Sequence, residues 1–260
     1  MSFSPISEAF RVNHLKNIRL VAADMDGTLT QQGKFTSVLL QALEVLAEAN
    51  MPVLIVTGRS AGWVEAVKAY LPVTGAIAEN GGIFYSQRQE APEFLTSIPD
   101  LTRHRQHLAE TFHFLQSKFP LIRESVDNCF RLTDWTFDVR ELTLTELQQL
   151  GDLCQDRGLG FTYSTVQCHI KPIGQDKATS LLQVLQEHFS EFTSEEIITV
   201  GDSPNDESLF DASNFPFSVG VANVLHYRQQ LKHQPAYVTV AAEAQGFCEL
   251  AELLIKRKVL

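Results

Sequence analysis

Cysteine is scarce in this chain. Its 260 residues include only four cysteines, which stand apart without a CxxC or Cys/His spacing suited to zinc. We therefore expect Cys129, Cys154, Cys168 and Cys248 to be small buried hydrophobic side chains, not disulfide partners or metal ligands.

Positive charge and long apolar runs are also lacking. Lys and Arg together number 21 against 31 Asp and Glu, which gives a formal charge of −10. This balance argues against nucleic acid and anionic membrane as partners. The N-terminus has no apolar core of a secretory signal, and no run approaches the length of a membrane span. The expected location is cytoplasmic.

Three apolar runs end abruptly in small polar residues: IRLVAADMDGT (18–28), VLIVTGRS (53–60) and IITVGDSPND (197–206). Each is typical of a buried parallel strand. Helical patterns at 36–50 and 176–189 separate them, and 246–258 predicts a closing amphipathic helix. Strands that alternate with helices predict an α/β fold with a doubly wound, Rossmann-like parallel sheet, whose sites form beyond the carboxyl ends of the strands.

Residues 84–172 have a different pattern of apolar and polar residues. Apolar residues at helical spacing follow Leu101, whereas 130–140 and 161–170 alternate like half-exposed strands. We therefore predict a core domain of residues 1–83 and 173–260, interrupted by an inserted α+β domain of residues 84–172.

Two carboxylates, Asp24 and Asp26, close the first strand on the same side, about 6.5 Å apart. GDSPND brings Asp202 and Asp206 to the end of another strand. Like charges at such distances raise one another's pKa unless a cation intervenes. Since carboxylates, water and phosphate oxygens suit Mg²⁺, we expect one Mg²⁺ at this point.

Other interpretations of the motifs remain open at this stage. A calcium loop starting at Asp24 fails because Leu29 and Phe35 occupy the positions that need Gly and Glu, but a plain Asp-Gly turn does not fail. Thr57 and Gly58 would bind a phosphate oxygen or form an ordinary turn. Lys177, at a predicted helix start, suits an anionic ligand or is merely solvated. Neither GxxxxGK[ST] nor GxGxxG occurs, which excludes ATP-type phosphate binding and dinucleotide binding through those motifs.

The order DMDGT, TGR, a lysine and GDSPND closely resembles the haloacid dehalogenase superfamily of aspartate-nucleophile phosphatases. The insertion resembles a type IIB cap, as in sugar-phosphate phosphatases of the Cof type, and AENGG (78–82) and SVGVANV (218–224) resemble the same group. GDSPND and the modest cap are also similar to the sucrose-phosphate phosphatases. The resemblance covers nearly the full length.

The resemblance implies roles for the matching residues. Asp24 would attack phosphorus, and Asp26 would protonate the leaving oxygen and later activate water. The implied phosphate-binding residues are Thr57, Gly58, Lys177 and Asn205. The implied Mg²⁺ ligands are Asp24, the backbone carbonyl of Asp26, Asp202 and, through water, Asp206. Arg59 and Asn80 are further candidates for substrate contacts.

The cap would select the substrate. Arginines there would bind a second anionic group, and Trp135 would pack against a sugar ring, although each side chain equally suits the surface or core of the cap. The candidates are Arg123, Arg131, Arg140, His169, Lys171, Trp135 and Tyr163.

The leading hypothesis is a Mg²⁺-dependent phosphatase acting on a small phosphorylated metabolite, such as a sugar phosphate, through an aspartyl-phosphate on Asp24. Two alternatives remain: a phosphotransferase or phosphomutase acting on hexose phosphates, and a non-catalytic sensor of Mg²⁺ or a phospho-ligand.

Overall fold

The computed structural model describes residues 4–11 and 15–259. The strands are, in chain order, β1 (Ser4–Pro5), β2 (Leu20–Ala23), β3 (Val53–Val56), β4 (Gly75–Ala78), β5 (Ile83–Ser86), β6 (Glu93–Phe94), β7 (Trp135–Asp138), β8 (Leu159–Tyr163), β9 (Gln167–Pro172), β10 (Ile197–Gly201), β11 (Ser218–Gly220) and β12 (Tyr237–Val238). The α-helices are α1 (Ile6–Arg11), α2 (Ser37–Glu48), α3 (Ala61–Tyr70), α4 (Leu101–Lys118), α5 (Leu144–Asp156), α6 (Lys177–His188) and α7 (Glu243–Val259). Short 3₁₀ helices cover Val126–Phe130, Ser194–Glu196, Pro204–Phe210 and Ala222–Tyr227.

The main sheet has nine strands in the order β1-β12-β11-β10-β2-β3-β4-β5-β6. Pairing is parallel from β1 to β4 and antiparallel at β5 and β6. The chain runs from β2 outwards to β4 on one side and later places β10 on the other. The order therefore reverses between β2 and β10, and ligands of doubly wound sheets bind at such a point, outside the carboxyl ends of the strands.

Both faces of this sheet are buried, as the continuous apolar runs predict. Along β2, Val21 and Ala23 pack into the core beneath α2, α3 and α7, whereas Leu20 and Ala22 pack into the core beneath α6. Side-chain caps fix the starts of two helices. Thr36 accepts a hydrogen bond from the backbone N–H of Leu39 at α2, and Asp176 accepts bonds at the start of α6.

A second, three-stranded antiparallel sheet has the order β7-β9-β8. Its apolar face packs against α4 and α5 around Phe112, Phe137 and Ile170. We call residues 101–172, which form this sheet and its helices, the inserted unit. The opposite face carries polar residues such as Thr136, His169 and Lys171, and it lies toward the large sheet.

The structure differs from the sequence-based expectations in three places. Strands β5 and β6 pair within the nine-stranded sheet, so the core sheet continues beyond the boundary predicted at residue 83. The predicted strand 161–170 is a hairpin of β8 and β9, whose turn is held by the hydroxyl of Ser164. Cys129 is exposed, whereas the other three cysteines are buried as expected. Within the described residues, no helix combines the length and apolar character needed to cross a membrane.

Candidate active site

Asp24 and Asp202 follow neighbouring parallel strands and therefore lie side by side. The register pairs Ala23 of β2 with Val200 of β10, and the Asp24 backbone N–H donates to the Val200 carbonyl at 2.8 Å. Both carboxylates project at the carboxyl edge of the sheet, at the point where the strand order reverses.

Asp206 joins these two carboxylates, and we call Asp24, Asp202 and Asp206 the acidic cluster. One ligand oxygen from each lies within 4.8 Å of the others, and all three residues are buried. Lys177, fully buried at the start of α6, donates to Asp24 Oδ1 at 2.5 Å and to Asp206 Oδ1 at 2.6 Å. One ammonium thus faces three carboxylates, which leaves an excess of buried negative charge if all three are ionised.

This excess shifts the pKa of Asp24, Asp202 and Lys177. Burial, followed by the Asp206 carboxylate, raises the pKa of Asp24 to about 8. Burial and the other two carboxylates raise the pKa of Asp202 well above its ordinary value. Burial alone would lower the pKa of Lys177, but Asp206 and Asp24 reverse that effect and hold its pKa above the ordinary value. The lysine therefore stays protonated, and the carboxylates lack a second counter-charge.

The donor set fits a hard dication. Asp202 is positioned by Thr28, whose hydroxyl donates to Oδ1 at 3.2 Å, and by Asn223, whose amide donates to Oδ2 at 2.8 Å. Asp206 turns Oδ2 toward the backbone N–H groups of Asp202 and Ser203, so its carboxylate is the most heavily hydrogen-bonded of the three. Oxygen ligands without thiol or imidazole suit Mg²⁺ better than a transition metal.

Asp26 is held apart from the acidic cluster. Its side chain forms a bidentate ion pair with Arg59, with Nε to Oδ2 at 2.7 Å and Nη2 to Oδ1 at 2.6 Å. The Asp26 side chain is 15% exposed and that of Asp24 is 5% exposed, so Asp26 is the more open of the two. The arrangement gives the two carboxylates of DMDGT different environments.

The residues predicted to bind phosphate come from other loops at this edge. Thr57 follows β3, and its hydroxyl accepts from the Arg59 backbone N–H at 3.2 Å. Asn205 donates to Asn80 Oδ1 at 3.0 Å, while the buried Asn80 Nδ2 has no hydrogen-bond partner among the described residues. A Cβ atom at Gly58 would lie 3.0 Å from the His169 ring and 3.1 Å from Asn80 Nδ2. An alanine would therefore crowd this junction with the inserted unit.

Two of the cap candidates form a buried network instead of a charged surface. Arg131 is fully buried and donates to Asp134, Asp127, Gln167 and the Gly58 carbonyl. Asp134 also bonds His169 Nδ1 at 2.8 Å. Burial lowers the pKa of His169, so the ring is neutral near pH 7 and its Nδ1–H is directed at Asp134.

The other cap candidates have varied positions. Trp135 packs with the apolar core of the inserted unit and under Arg105, away from the large sheet, so the idea that it stacks on a sugar is wrong. Arg140 is exposed and pairs with Asp138, and Tyr163 donates to Gln230. Lys171 is buried, and its ammonium donates to the Gln175 carbonyl.

Sequence reasoning missed two residues that shape the site. Glu79 is fully buried, and its carboxylate accepts from the N–H groups of Ala61, Leu132 and Thr133 and from the Thr133 hydroxyl. Asn223 bonds both Asp202 and the Gly27 carbonyl. Their motifs, AENGG and SVGVANV, were noticed only through resemblance, since nothing local distinguishes either side chain from a surface residue.

Comparison with known proteins identifies the family and the fold. The family model of the haloacid dehalogenase-like hydrolases matches residues 21–100 and 100–249. A phosphoglycolate phosphatase of Methanothrix thermoacetophila is 30% identical over 241 residues, which cover 90% of this chain and 96% of that protein. The solved structure of Thermoplasma acidophilum 0175 aligns with a TM-score of 0.73 at 22% identity, over 91% of this chain and 99% of that one. A subclass IIB sugar phosphatase of the HAD superfamily aligns with a TM-score of 0.68 at 15% identity, over 90% and 98%. The chain therefore belongs to the haloacid dehalogenase-like hydrolases.

Proposed function

We propose that the chain is a Mg²⁺-dependent phosphatase that hydrolyses small phosphate monoesters through an aspartyl-phosphate on Asp24. The observation that carries the proposal is the position of Asp24. Its carboxylate is buried at the reversal point of the sheet, next to Lys177 and to Asp202, with a second carboxylate two residues away. A phosphate dianion can meet a carboxylate nucleophile only where positive charge offsets their repulsion.

The first half of the reaction transfers the phosphoryl group to the protein. An oxygen of Asp24 attacks phosphorus, the bond between phosphorus and the ester oxygen breaks, and the departing alkoxide takes a proton from Asp26. Lys177 donates to the phosphoryl oxygens, and Thr57 and Asn205 fix their orientation with the Gly58 backbone N–H.

The second half releases phosphate. Water attacks phosphorus on the opposite side from Asp24 while Asp26 takes its proton, and the bond from Asp24 to phosphorus breaks. The enzyme is thereby restored, with one proton again on Asp26. Arg59 would hold Asp26 in place between the two steps, since a bidentate pair fixes both carboxylate oxygens.

The metal would be held by Asp24, Asp202 and the backbone carbonyl of Asp26, with Asp206 acting through water. Mg²⁺ supplies charge that keeps Asp24 ionised and that offsets the charge on the transferring oxygens. Asn223 and Thr28 orient Asp202, and the Asp206 carboxylate, which accepts from the backbone N–H groups of Asp202 and Ser203, orients the loop that carries Asp202.

We also propose that the inserted unit acts as a cap. His169 of its polar sheet face lies against Gly58, and Glu79 and Gly58 of the core bind its segment Arg131–Asp134. The relatives support small phosphate monoesters as substrates, since their names specify phosphoglycolate in one case and sugar phosphates in another.

A phosphate-release screen tests the proposal. Purified protein is assayed with phosphoglycolate, hexose phosphates, nucleotides and pyridoxal phosphate, with Mg²⁺ and with a chelator. We expect release that requires Mg²⁺ and is abolished in Asp24→Asn. The exposed Asp156→Asn serves as the matched control. Full activity in Asp24→Asn, or no release from any ester, would overturn the proposal, and isomerised sugar phosphate without free phosphate would identify a phosphomutase.

A further inference from the structure

A large cleft lies between α3 and the inserted unit, and Arg59, the partner of Asp26, lines it. It has a volume of about 900 Å³ and is lined by Arg59 and Trp63 from the core and by Val126, Phe130 and Val166 from the inserted unit. We call it the Trp63 cleft. A cleft of this size suits a ligand with many non-hydrogen atoms.

The Trp63 cleft is connected to the reacting atoms through Arg59. The guanidinium of Arg59 holds both carboxylate oxygens of Asp26, and its carbon atom Cζ lies 5.5 Å from the centre of the Trp63 ring. Asp26 is the group that protonates the departing alcohol, so this alcohol must lie next to Asp26. Because Arg59 both bonds Asp26 and lines the cleft, a leaving group next to Asp26 can extend past Arg59 into the Trp63 cleft.

The wall of the cleft combines charged side chains, such as Arg123, Asp127 and Arg140, with exposed apolar ones. Trp63 is 37% exposed, Phe130 60%, Val126 97% and Val166 37%. Phe130 packs closely on α3, since a Cβ atom at Gly62 would lie 3.3 Å from that of Phe130. Gly62 thus allows Phe130 to approach α3 next to Trp63. Contiguous exposed apolar side chains mark a binding surface more often than isolated ones.

We propose that Trp63 and Phe130 form a specificity subsite for the leaving group, which selects phosphate monoesters whose alcohol carries a ring. The inference rests on the proposed phosphatase function and adds the substrate class. Aromatic side chains bind flat rings and the C–H faces of sugars, with the alcohol end directed at Asp26. Glycolate, with two carbons, would leave most of the cleft empty, so phosphoglycolate would gain nothing from these side chains.

Two substrates separate this proposal from a general effect on the fold. The kcat and KM values are measured with pyridoxal phosphate, which carries a ring, and with phosphoglycolate, which does not. The variants are Trp63→Ala, Trp63→Leu and Phe130→Ala. Tyr70→Ala is the matched control, because Tyr70 lies on the same helix and is 87% exposed, outside the cleft.

We expect Trp63→Ala and Phe130→Ala each to lower kcat/KM for pyridoxal phosphate by about tenfold, mostly through KM, because a lost aromatic contact weakens binding by about that factor. In these variants kcat/KM for phosphoglycolate should change by less than about twofold. Tyr70→Ala should leave kcat/KM unchanged for both substrates. Trp63→Leu keeps apolar bulk without the ring and should fall between wild type and Trp63→Ala.

Three results would overturn the subsite. These are an equal loss with both substrates, unchanged kinetics with pyridoxal phosphate in Trp63→Ala, and a wild-type protein that hydrolyses phosphoglycolate but no ring-bearing ester. Each of these three results leaves the proposed phosphatase function unaffected. A wild-type protein that hydrolyses no ester at all refutes the proposed function itself, so the two failures are distinguishable. As a second readout, calorimetric binding of pyridoxal phosphate to Asp24→Asn should weaken when Trp63→Ala is added.

Discussion

The ammonium of Lys177 lies 2.5 Å from Oδ1 of Asp24, and both groups are buried. The same nitrogen also bonds Asp206, so a single cation joins the helix start of α6 to the end of β2 and to the 3₁₀ helix Pro204–Phe210. Lys177 therefore has a structural role as well as the proposed catalytic one, and the two roles can be measured separately.

Lys177→Met removes the cation and leaves Asp24 and Asp206 without it. We expect the free energy of unfolding in chelator to fall by about 3 kcal/mol, as when one partner of a buried ion pair is removed. Phosphate release should fall at least a hundredfold. Urea unfolding and steady-state assays measure the two effects, and Mg²⁺ should restore stability but not activity. An unchanged midpoint of urea unfolding in chelator would show that the ion pairs of Lys177 contribute little to stability.

The Asp24 carboxyl predicts a pH dependence of stability in the absence of Mg²⁺. Its pKa is raised from 3.8 to about 8 in the folded protein, so the folded state binds this proton more tightly than the unfolded chain does. Its contribution to stability is full below the unfolded pKa of 3.8 and is lost as pH rises through the folded pKa of about 8.

Asp24→Asn removes this contribution together with the effect of Asp24 on the pKa of Asp202 and Lys177. Between about pH 5 and pH 8.5 in chelator, wild type should lose several kcal/mol relative to the variant, at about 1.4 kcal/mol for each unit of pKa shift. Mg²⁺ should stabilise wild type more at the higher pH, because it binds the ionised carboxylate. Parallel stability curves for the two proteins in chelator would contradict this explanation.

Asn223 positions Asp202, a proposed metal ligand, through a side-chain hydrogen bond. Its amide holds Asp202 Oδ2 at 2.8 Å, and its oxygen accepts from the Glu243 backbone N–H. Asn223→Ala should weaken Mg²⁺ binding by at least about tenfold, as with other residues that orient metal ligands. Calorimetric titration with MgCl₂ measures this, and the exposed Gln229→Ala provides the control. If both variants bind Mg²⁺ with equal affinity, Asn223 does not position a metal ligand.

Asp26 and Arg59 make a prediction about leaving groups. Asp26→Asn should lower turnover of alkyl phosphates by about a hundredfold or more, because their alkoxides need a proton. With para-nitrophenyl phosphate, the rate of the first step should fall much less, because its phenolate leaves without taking a proton. Arg59→Ala should show the same preference in weaker form, with Arg59→Lys intermediate since lysine cannot form the bidentate pair. Equal losses with both esters would show that Asp26 is not the acid.

Glu79 connects the core to the inserted unit. It is completely buried, and burial followed by the Asp134 carboxylate raises its pKa above the ordinary value. Glu79→Gln replaces one acceptor oxygen with an N–H₂ group that faces backbone donors. The free energy of unfolding should fall by about 2 kcal/mol, measured by urea denaturation, while Glu44→Gln on an exposed face of α2 should change it little. Equal midpoints would contradict the buried hydrogen bonds.

The main sheet and the acidic cluster followed from the sequence because both depend on local signals. Apolar runs predict buried parallel strands, and adjacent strands bring the carboxylates at their ends together, as happens for Asp24 and Asp202. Helix α4 and strand β7 of the inserted unit were also predicted, since their periodicities are strong.

Long-range partners could not be predicted. The alternating pattern around Arg131 predicts a half-exposed strand. The side chain is nevertheless fully buried, because Asp127, Asp134 and the Gly58 carbonyl surround it. The role of Trp63 depends on where the inserted unit places Phe130, which no spacing in the sequence encodes. The pairing of β5 and β6 with the main sheet, beyond the boundary predicted at residue 83, has a similar origin, because no local signal in such short strands indicates their partners.

The central claim is that Asp24 receives the phosphoryl group, and trapping it is the most direct test. Asp26→Asn lacks the base that activates water, so para-nitrophenyl phosphate should form the intermediate faster than it is hydrolysed. Acid quenching, digestion and mass spectrometry should then find one phosphoryl group on the peptide that contains Asp24, and none in the Asp24→Asn/Asp26→Asn double variant. A phosphoryl group on another residue, or turnover by the double variant at the rate of Asp26→Asn, would contradict the claim.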